Sequence, residues 1–201
     1  MTETQDKWAI ERAFYEKGYH LICGVDEAGA GPLAGPVYAA AVILPVGLEL
    51  PYLDDSKKVT EKRREQLFPQ IKEQAIAWAV ASASAEEIDQ INILNARMLA
   101  MDRAIQQLNP AADFALIDGN RNRGIHLANE MVVKGDSRSA SIAAASILAK
   151  VSRDHYMLEM AERYPEYRFE KHKGYPTKLH YELLRKYGPC PIHRKTFLKK
   201  L

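Results

Sequence analysis

Apolar and polar positions change period several times along the chain, and each change marks an element. Trp8, Ile10, Phe14 and Tyr15 are spaced for a short amphipathic helix within Met1–Lys17, which Gly18 stops. Leu21 to Val25 reads as a short strand running into Asp26-Glu27 and a Gly/Pro cluster at 29–36. Val37 to Leu44 is almost wholly apolar, as suits a strand at the centre of a sheet, and Pro45 and Gly47 close it. Thr60 can cap a helix reaching about Gln74, with Leu67 and Ile71 on one face. Ile76, Trp78 and Val80 alternate with alanines, the period of a third strand. Ser84 and Glu87 have capping-box spacing. Ile88, Ile91, Leu94, Met98, Met101, Ile105 and Leu108 follow at helical intervals as far as Asn109-Pro110.

Two further strands are predicted, Phe114–Ile117 ending in Asp118-Gly119-Asn120 and Met131–Val133 ending near Gly135-Asp136. Ser139 or Ser141 opens a helix through Ile142, Ile147, Leu148 and Val151 to about Arg163. Pro165 marks a boundary, after which Thr177 caps a short basic helix that Gly188-Pro189 stops. The alternation after the first two strands predicts an α/β fold, a mixed sheet flanked by helices. The chain divides into a body, 1–165 with a helical extension 1–18, and a small helical appendage, 166–201.

Composition narrows the class. With 201 residues, 47% hydrophobic and 27% charged, the chain is ordinary for a globular protein and not for a disordered one. Cys23 and Cys190 cannot build a disulfide framework, and no apolar run approaches the ~20 residues of a membrane span. Met1–Tyr19 carries charges throughout and lacks the apolar stretch of a signal peptide. These features predict a soluble, cytoplasmic protein without membrane contact, by default a monomer. The net charge of +2 hides an asymmetry: residues 166–201 hold ten Lys or Arg against three acids, a net +7, which leaves −5 for the first 165. A basic end suggests a polyanion partner, although a solvated tail accounts for charge alone.

Three strands run into acids: Leu21–Val25 into Asp26-Glu27, Phe114–Ile117 into Asp118, and Met131–Val133 into Asp136. Sites in open α/β sheets form at the carboxyl ends of strands. Four carboxylates gathered there could not all stay ionised at neutral pH without a compensating cation. Oxygen-only donors suit Mg²⁺ or Mn²⁺, whereas Zn²⁺ would want His or Cys. Each acid taken singly reads more simply as a loop cap, so the inference turns on whether the folded chain gathers them. Adjacent residues on a regular strand face opposite ways. Asp26 and Glu27 therefore share one centre only if the strand is already turning, as Gly29 and Gly31 suggest.

These residues carry a resemblance. Gly24-Val25-Asp26-Glu27-Ala28-Gly29-x-Gly31-Pro32-Leu33-Ala34-Gly35-Pro36-Val37 resembles the opening signature of bacterial ribonuclease HII, a type 2 ribonuclease H. Asp55-Ser56-Lys57-Lys58, Leu116-Ile117-Asp118-Gly119-Asn120 and Val133-Lys134-Gly135-Asp136-Ser137 are similar to the family too. So are Ile142 to Val151 with Arg153-Asp154, Lys171 to Thr177, and His193-Arg194-x-Thr196-Phe197, all in family order across about residues 20–198. The resemblance implies a ribonuclease H-like fold and an endonuclease acting on RNA–DNA hybrids and on duplex DNA containing ribonucleotides. Cleavage 5′ of the ribonucleotide would leave a 3′-hydroxyl and a 5′-phosphate, in service of ribonucleotide removal from DNA. It implies Asp26, Glu27, Asp118 and Asp136 as catalytic ligands of two Mg²⁺ or Mn²⁺ ions about 4 Å apart. Asp26 would bridge, Glu27 and Asp118 would flank, and Asp136 would complete the second ion's shell.

The family meets the ribose 2′-hydroxyl with the backbone of a Gly-Arg-Gly turn, and here the turn is Gly29-Ala30-Gly31. The missing arginine predicts weaker substrate binding with the chemistry intact. Tyr175 resembles the family tyrosine that packs on the deoxyribose after the ribonucleotide; a lone tyrosine there reads otherwise as a surface turn residue. Lys57, Lys58, Lys150, Arg153, Lys173, Arg194 and Lys195 are candidate phosphate contacts, each of which could equally be a solvated charge. Ser137 and Ser146 could bond a phosphate or a ligand carboxylate, while Lys7, Lys62, Arg63 and Arg64 read as helix surface.

Competing readings are weaker. Gly29-x-Gly31-x-x-Ala34 formally fits a dinucleotide fingerprint, but Pro36 and an apolar strand follow it where a helix is needed. Cys190-x-x-His193 has metal-like spacing without a second pair. The serious alternative is a non-catalytic nucleic-acid-binding module using the basic tail. Four retained acids count against it, because bare carboxylates repel phosphate.

Overall fold

The apolar run after Tyr19 becomes the middle strand of a sheet because both of its edges find partners. The computed structural model of the chain describes residues 6–120 and 123–199. In it, β1 (Ile22–Ala28) pairs antiparallel with β2 (Val37–Ile43), which pairs antiparallel with β3 (Ala77–Ala83). On its other edge β1 pairs parallel with β4 (Phe114–Asp118), and β4 pairs parallel with β5 (Asn129–Val132). The order is β3-β2-β1-β4-β5, the mixed sheet that the alternation predicts.

The helices are α1 (Ala9–Tyr15), α2 (Glu61–Gln74), α3 (Ala85–Gln106), the single turn α4 (Gly135–Arg138), α5 (Ala140–Arg163), α6 (Phe169–His172) and α7 (Lys178–Tyr187). Residues 1–5 of the expected N-terminal helix, and Lys200 and Leu201 of the basic tail, lie outside the described residues. The caps are those the sequence signals. Thr60, Ser139 and Thr177 accept from the backbone N–H three residues on, and Ser84 with Glu87 closes a full capping box. Inside α3, Asn92 leaves helical geometry at φ 67°, and its side chain accepts from the Asn95 N–H to restart the helix.

Two layers cover the sheet. Cys23 and Val25 of β1 join Ala39 and Ala41 of β2 and Ile88, Met101 and Ile105 of α3 in one core cluster. Ala40 and Val42, one residue out of phase, pack with Ala143, Ala144, Ile147 and Leu148 of α5 and Leu67 and Ile71 of α2. Burying each Leu, Ile or Met contributes about 2–3 kcal/mol. The alanines of α5 let it lie close to the sheet. A Cβ added at Gly24 would stand 2.0 Å from the Ser141 carbonyl carbon, so only glycine fits beneath that helix. A third cluster packs Leu33 and Ala34 against Met157, Tyr167, Phe169 and Leu184, which draws the C-terminal segment onto the loop after β1.

One boundary differs in a way that matters. The expected strand Leu21–Val25 continues to Ala28, because Asp26, Glu27 and Ala28 pair with Ala40, Ala39 and Tyr38. The strand has not turned at the acids. They stand on opposite faces of the sheet.

Candidate active site

Asp26 lies on the α5 face, where the end of β4 supplies Asp118 and the turn α4 supplies Asp136. Each offers a carboxylate oxygen, and the three oxygens lie within 4.8 Å of one another. Gly135 N–H donates to Asp118 Oδ1 at 2.7 Å, which ties α4 to β4. Lys134, left-handed at φ 55°, makes the corner that brings Asp136 round. Asp26 and Asp136 are each 7% exposed, too little for water to screen the repulsion. Burial pushes the Asp26 carboxyl well above its ordinary range, and Glu27, Asp118 and Asp136 add to it. Burial raises Asp136 to about 6, with help from Asp118 and from a hydrogen bond to the Asp55 carboxyl. Such a cluster is stable either by keeping protons or by binding a cation.

Glu27 faces α3 instead, and its Oε1 pairs with Arg97 Nη2 at 2.5 Å. Burial and Asp118 raise the Glu27 carboxyl against the opposing pull of Arg97 and Lys57. Its Oε2 is buried without a hydrogen-bond partner among the described residues. The donor set fits a hard divalent cation: carboxylate oxygens only, crowded, with one buried oxygen still unanswered. Beside them a cleft of about 890 Å³ is lined by Arg97, Asn92, Asn95, Asp118, Asn120 and Arg123. Lys57 feels the field of the acids: partial burial lowers its pKa, but Asp55, Asp26, Asp136 and Asp118 outweigh that and raise it.

The turn after β1 is built from below. Gly29 sits at φ 92°, and a Cβ there would fall 2.1 Å from Arg153 Nε. Arg194 is fully buried; its Nη2, Nη1 and Nε donate to the carbonyls of Gly29, Ala30 and Gly35 at 2.6, 2.9 and 2.9 Å. Arg153, also fully buried, donates to the carbonyls of Pro36, Ala34 and Lys173. Burial and the neighbouring Arg153 lower Arg194 to about 9. Both arginines are thus structural clamps with their donors turned inward, which corrects the expectation that they reach phosphates from the surface. Tyr175 is 38% exposed above Arg153, whose guanidinium carbon is 5.5 Å from the ring centroid. His180 Nδ1 faces the Tyr175 carbonyl at 2.9 Å and must donate to it. Its Nε2 therefore accepts from His193 Nε2 at 3.0 Å, and His193 Nδ1 accepts from Cys190 N–H. Burial lowers both histidines to about 4, so this chain stays neutral.

Ser146 is buried as well; it donates to Ala143 O and accepts from Ser56 N–H, so it anchors the loop carrying Lys57 and does not reach a ligand. Arg64 and Lys7, read as surface, hold that same region through the carbonyls of Ser56, Val59 and Leu53. Lys150 pairs with Asp154 at 2.7 Å, 5.8 Å from the Tyr175 ring. Lys173 Nζ bonds Glu170 O, Lys58 lies 3.8 Å from Asp54, Ser137 donates to Lys134 O, and Lys195 is exposed. Arg97 and Asp55 carry little signal in the sequence. Arg97 sits in a regular helical stretch with no motif around it. For Asp55 the available signal is an acid two residues before a pair of lysines, in Asp55-Ser56-Lys57-Lys58.

The chain is similar to known proteins over nearly its whole length. A family model described as Ribonuclease HII matches residues 23–200. A Ribonuclease HII of Endomicrobium trichonymphae is 58% identical over 191 residues, covering 94% of this chain and 91% of that protein. One of Caldicellulosiruptor bescii is 50% identical over 201 residues, covering 100% and 98%. The ribonuclease HII of Archaeoglobus fulgidus, solved in complex with PCNA, superposes with a TM-score of 0.72 at 24% identity over 88% of this chain and 94% of that one. That likeness bears on the fold alone, and the mixed sheet with its flanking helices is ribonuclease H-like. Among the described residues no helix is long and apolar enough to cross a membrane.

Proposed function

The chain belongs to the ribonuclease HII family, and from that premise we propose that it nicks duplex DNA on the 5′ side of embedded ribonucleotides and cuts the RNA strand of RNA–DNA hybrids. Membership makes it a nuclease, a hydrolase of phosphodiester bonds that uses divalent metal and acts on nucleic acid. In the proposed reaction the enzyme uses two Mg²⁺ or Mn²⁺ ions, leaves 3′-hydroxyl and 5′-phosphate ends, and serves to remove ribonucleotides from DNA in the cytoplasm, acting as a monomer. The observation that carries it is the meeting of Asp26, Asp118 and Asp136 within 4.8 Å from three separate segments.

Asp26, Asp118 and Asp136 would hold the ions; Glu27 stands outside that group of three, on the α3 side, but close enough to Asp118 for its carboxyl to be raised by it, and its unpartnered Oε2 would complete the set from that side. Bound there, divalent ions supply positive charge for the phosphate's developing negative charge and acidify the attacking water. The protein's own part is positional. The hydrogen bond from Gly135 N–H fixes the Asp118 carboxylate, and Arg97 balances Glu27. Lys57 offsets the cluster's charge and can meet the scissile phosphate as it arrives. Gly29-Ala30-Gly31 offers main chain to the ribose and Tyr175 an aromatic face to the next sugar. Lys150 and Lys173 flank that ring's segment and suit the strand's phosphates. Residues 1–165 are then the catalytic domain and 166–201 the substrate-binding segment.

The test is a labelled duplex carrying one ribonucleotide, incubated with Mn²⁺ or Mg²⁺ and then with chelator. A metal-dependent nick 5′ of the ribonucleotide, abolished by Asp118→Asn, is the expected result. Binding without any nick would favour a non-catalytic module, and a fully active Asp118→Asn would overturn the ligand set.

A further inference from the structure

In a planar trans peptide the carbonyl and the following N–H point in opposite directions. Holding a carbonyl therefore aims the next amide. Arg194 draws the carbonyls of Gly29 and Ala30 to one side, beneath the turn, with Nη2 at 2.6 Å and Nη1 at 2.9 Å. The N–H groups of Ala30 and Gly31 belong to those same two peptide planes and are sent the other way. Ala30 is half-buried and Gly31 exposed, and neither amide has an acceptor among the described residues.

We propose that Arg194 is a positioning residue for ribose recognition, holding two successive main-chain donors outward where the 2′-hydroxyl oxygen of the substrate can accept from them. The proposal rests on the reading of this turn as the sugar contact. It explains how the turn is ordered although alanine stands where the family resemblance leads one to expect arginine. A guanidinium suits the task because its planar fork reaches three carbonyls at once, Gly29, Ala30 and Gly35, where an ammonium on a flexible stem does not. The arginine is itself delivered by main chain. Arg194 N–H donates to Leu33 O at 2.9 Å, Gly35 N–H donates to Ile192 O at 2.9 Å, and Ala34 bridges to His193. Those main-chain contacts do not involve the guanidinium. A deoxyribose has no oxygen at that position, and each unanswered donor disfavours it by roughly tenfold.

Fluorescence anisotropy in chelator compares two duplexes, one with a single ribonucleotide and one all DNA, against the wild type and Arg194→Lys. The wild type should prefer the ribonucleotide duplex. Arg194→Lys, which keeps the charge but loses the fork, should lose roughly tenfold of that preference, while its affinity for the all-DNA duplex stays within about twofold. An unchanged preference in the variant overturns the proposal. Amide exchange by NMR on the wild type decides the matter should the variant not fold. Ala30 and Gly31 should exchange fast in the free protein and slowly only with the ribonucleotide duplex. Protection in the free protein, or equal protection by the all-DNA duplex, also overturns the proposal. A wild type without any preference for the ribonucleotide duplex instead removes the substrate reading itself, which separates the two failures.

Discussion

Replacing Asp136 by asparagine in the metal-free protein should stabilise it, and the amount follows from the crowding at the site. The Asp136 carboxyl is raised from 3.8 to about 6 by burial, by Asp118 and by Asp55. Below pH ~4 it is protonated in both the folded and the unfolded chain and contributes no pH-dependent difference. Between about 4 and 6 the unfolded chain ionises while the folded one keeps its proton, so stability falls as pH rises. Above about 6 both are ionised and the whole penalty is present. A shift of about two pKa units corresponds to roughly 3 kcal/mol. Asp136→Asn removes the charge and keeps the shape. In chelator it should therefore be more stable than wild type by about 2–3 kcal/mol at pH 7.5 and nearly equal to it at pH 4. Added Mn²⁺ or Mg²⁺ should stabilise the wild type strongly at pH 7.5 and the variant much less. Urea denaturation at the two pH values, with and without ion, measures all four quantities. If the variant is less stable than wild type at pH 7.5 in chelator, or retains the full stabilisation by metal, the electrostatic account of the cluster is wrong.

Arg97→Met leaves Glu27 buried without its counter-charge, so it should destabilise by about 2–3 kcal/mol at pH 8 and by progressively less as the pH falls, because the raised Glu27 carboxyl takes up a proton more readily than in the unfolded chain; urea curves from pH 8 downward check the sign. Tyr175→Ala should slow cleavage at an RNA-to-DNA junction by roughly tenfold or more, while the thermal midpoint hardly moves because the ring is substantially exposed. Equal rates on junction and all-RNA strands in the wild type would count against that role. Ala30→Arg should tighten substrate binding severalfold by adding a phosphate-reaching charge and leave kcat unchanged, as steady-state kinetics on the ribonucleotide duplex would show. Gly24→Ala places a Cβ 2.0–2.4 Å from backbone atoms of Ser141 and Ile142, which cannot yield as a side chain would; a loss of about 3 kcal/mol or more should appear in thermal unfolding.

Local signals carried the sequence reading a long way. Caps at Thr60, Ser84, Ser139 and Thr177, the period of each strand, and the acids at Asp26, Asp118 and Asp136 all act within a few residues, so they can be read from the chain alone. The family motifs added what those acids are for. Three things depended on the tertiary structure. Glu27 faces away from Asp26 because antiparallel pairing with β2 extends β1 through both acids, and the alternation of a regular strand then separates them. Arg97 becomes its partner only because α3 packs on that face. Arg153 and Arg194 read as surface charges, yet the fold buries them among carbonyls of the 29–36 loop, more than a hundred residues away in sequence, a pairing that no local pattern encodes. Charge type and spacing are properties of the chain; which way a charge points is decided by what packs against it, and that is a long-range outcome of burial.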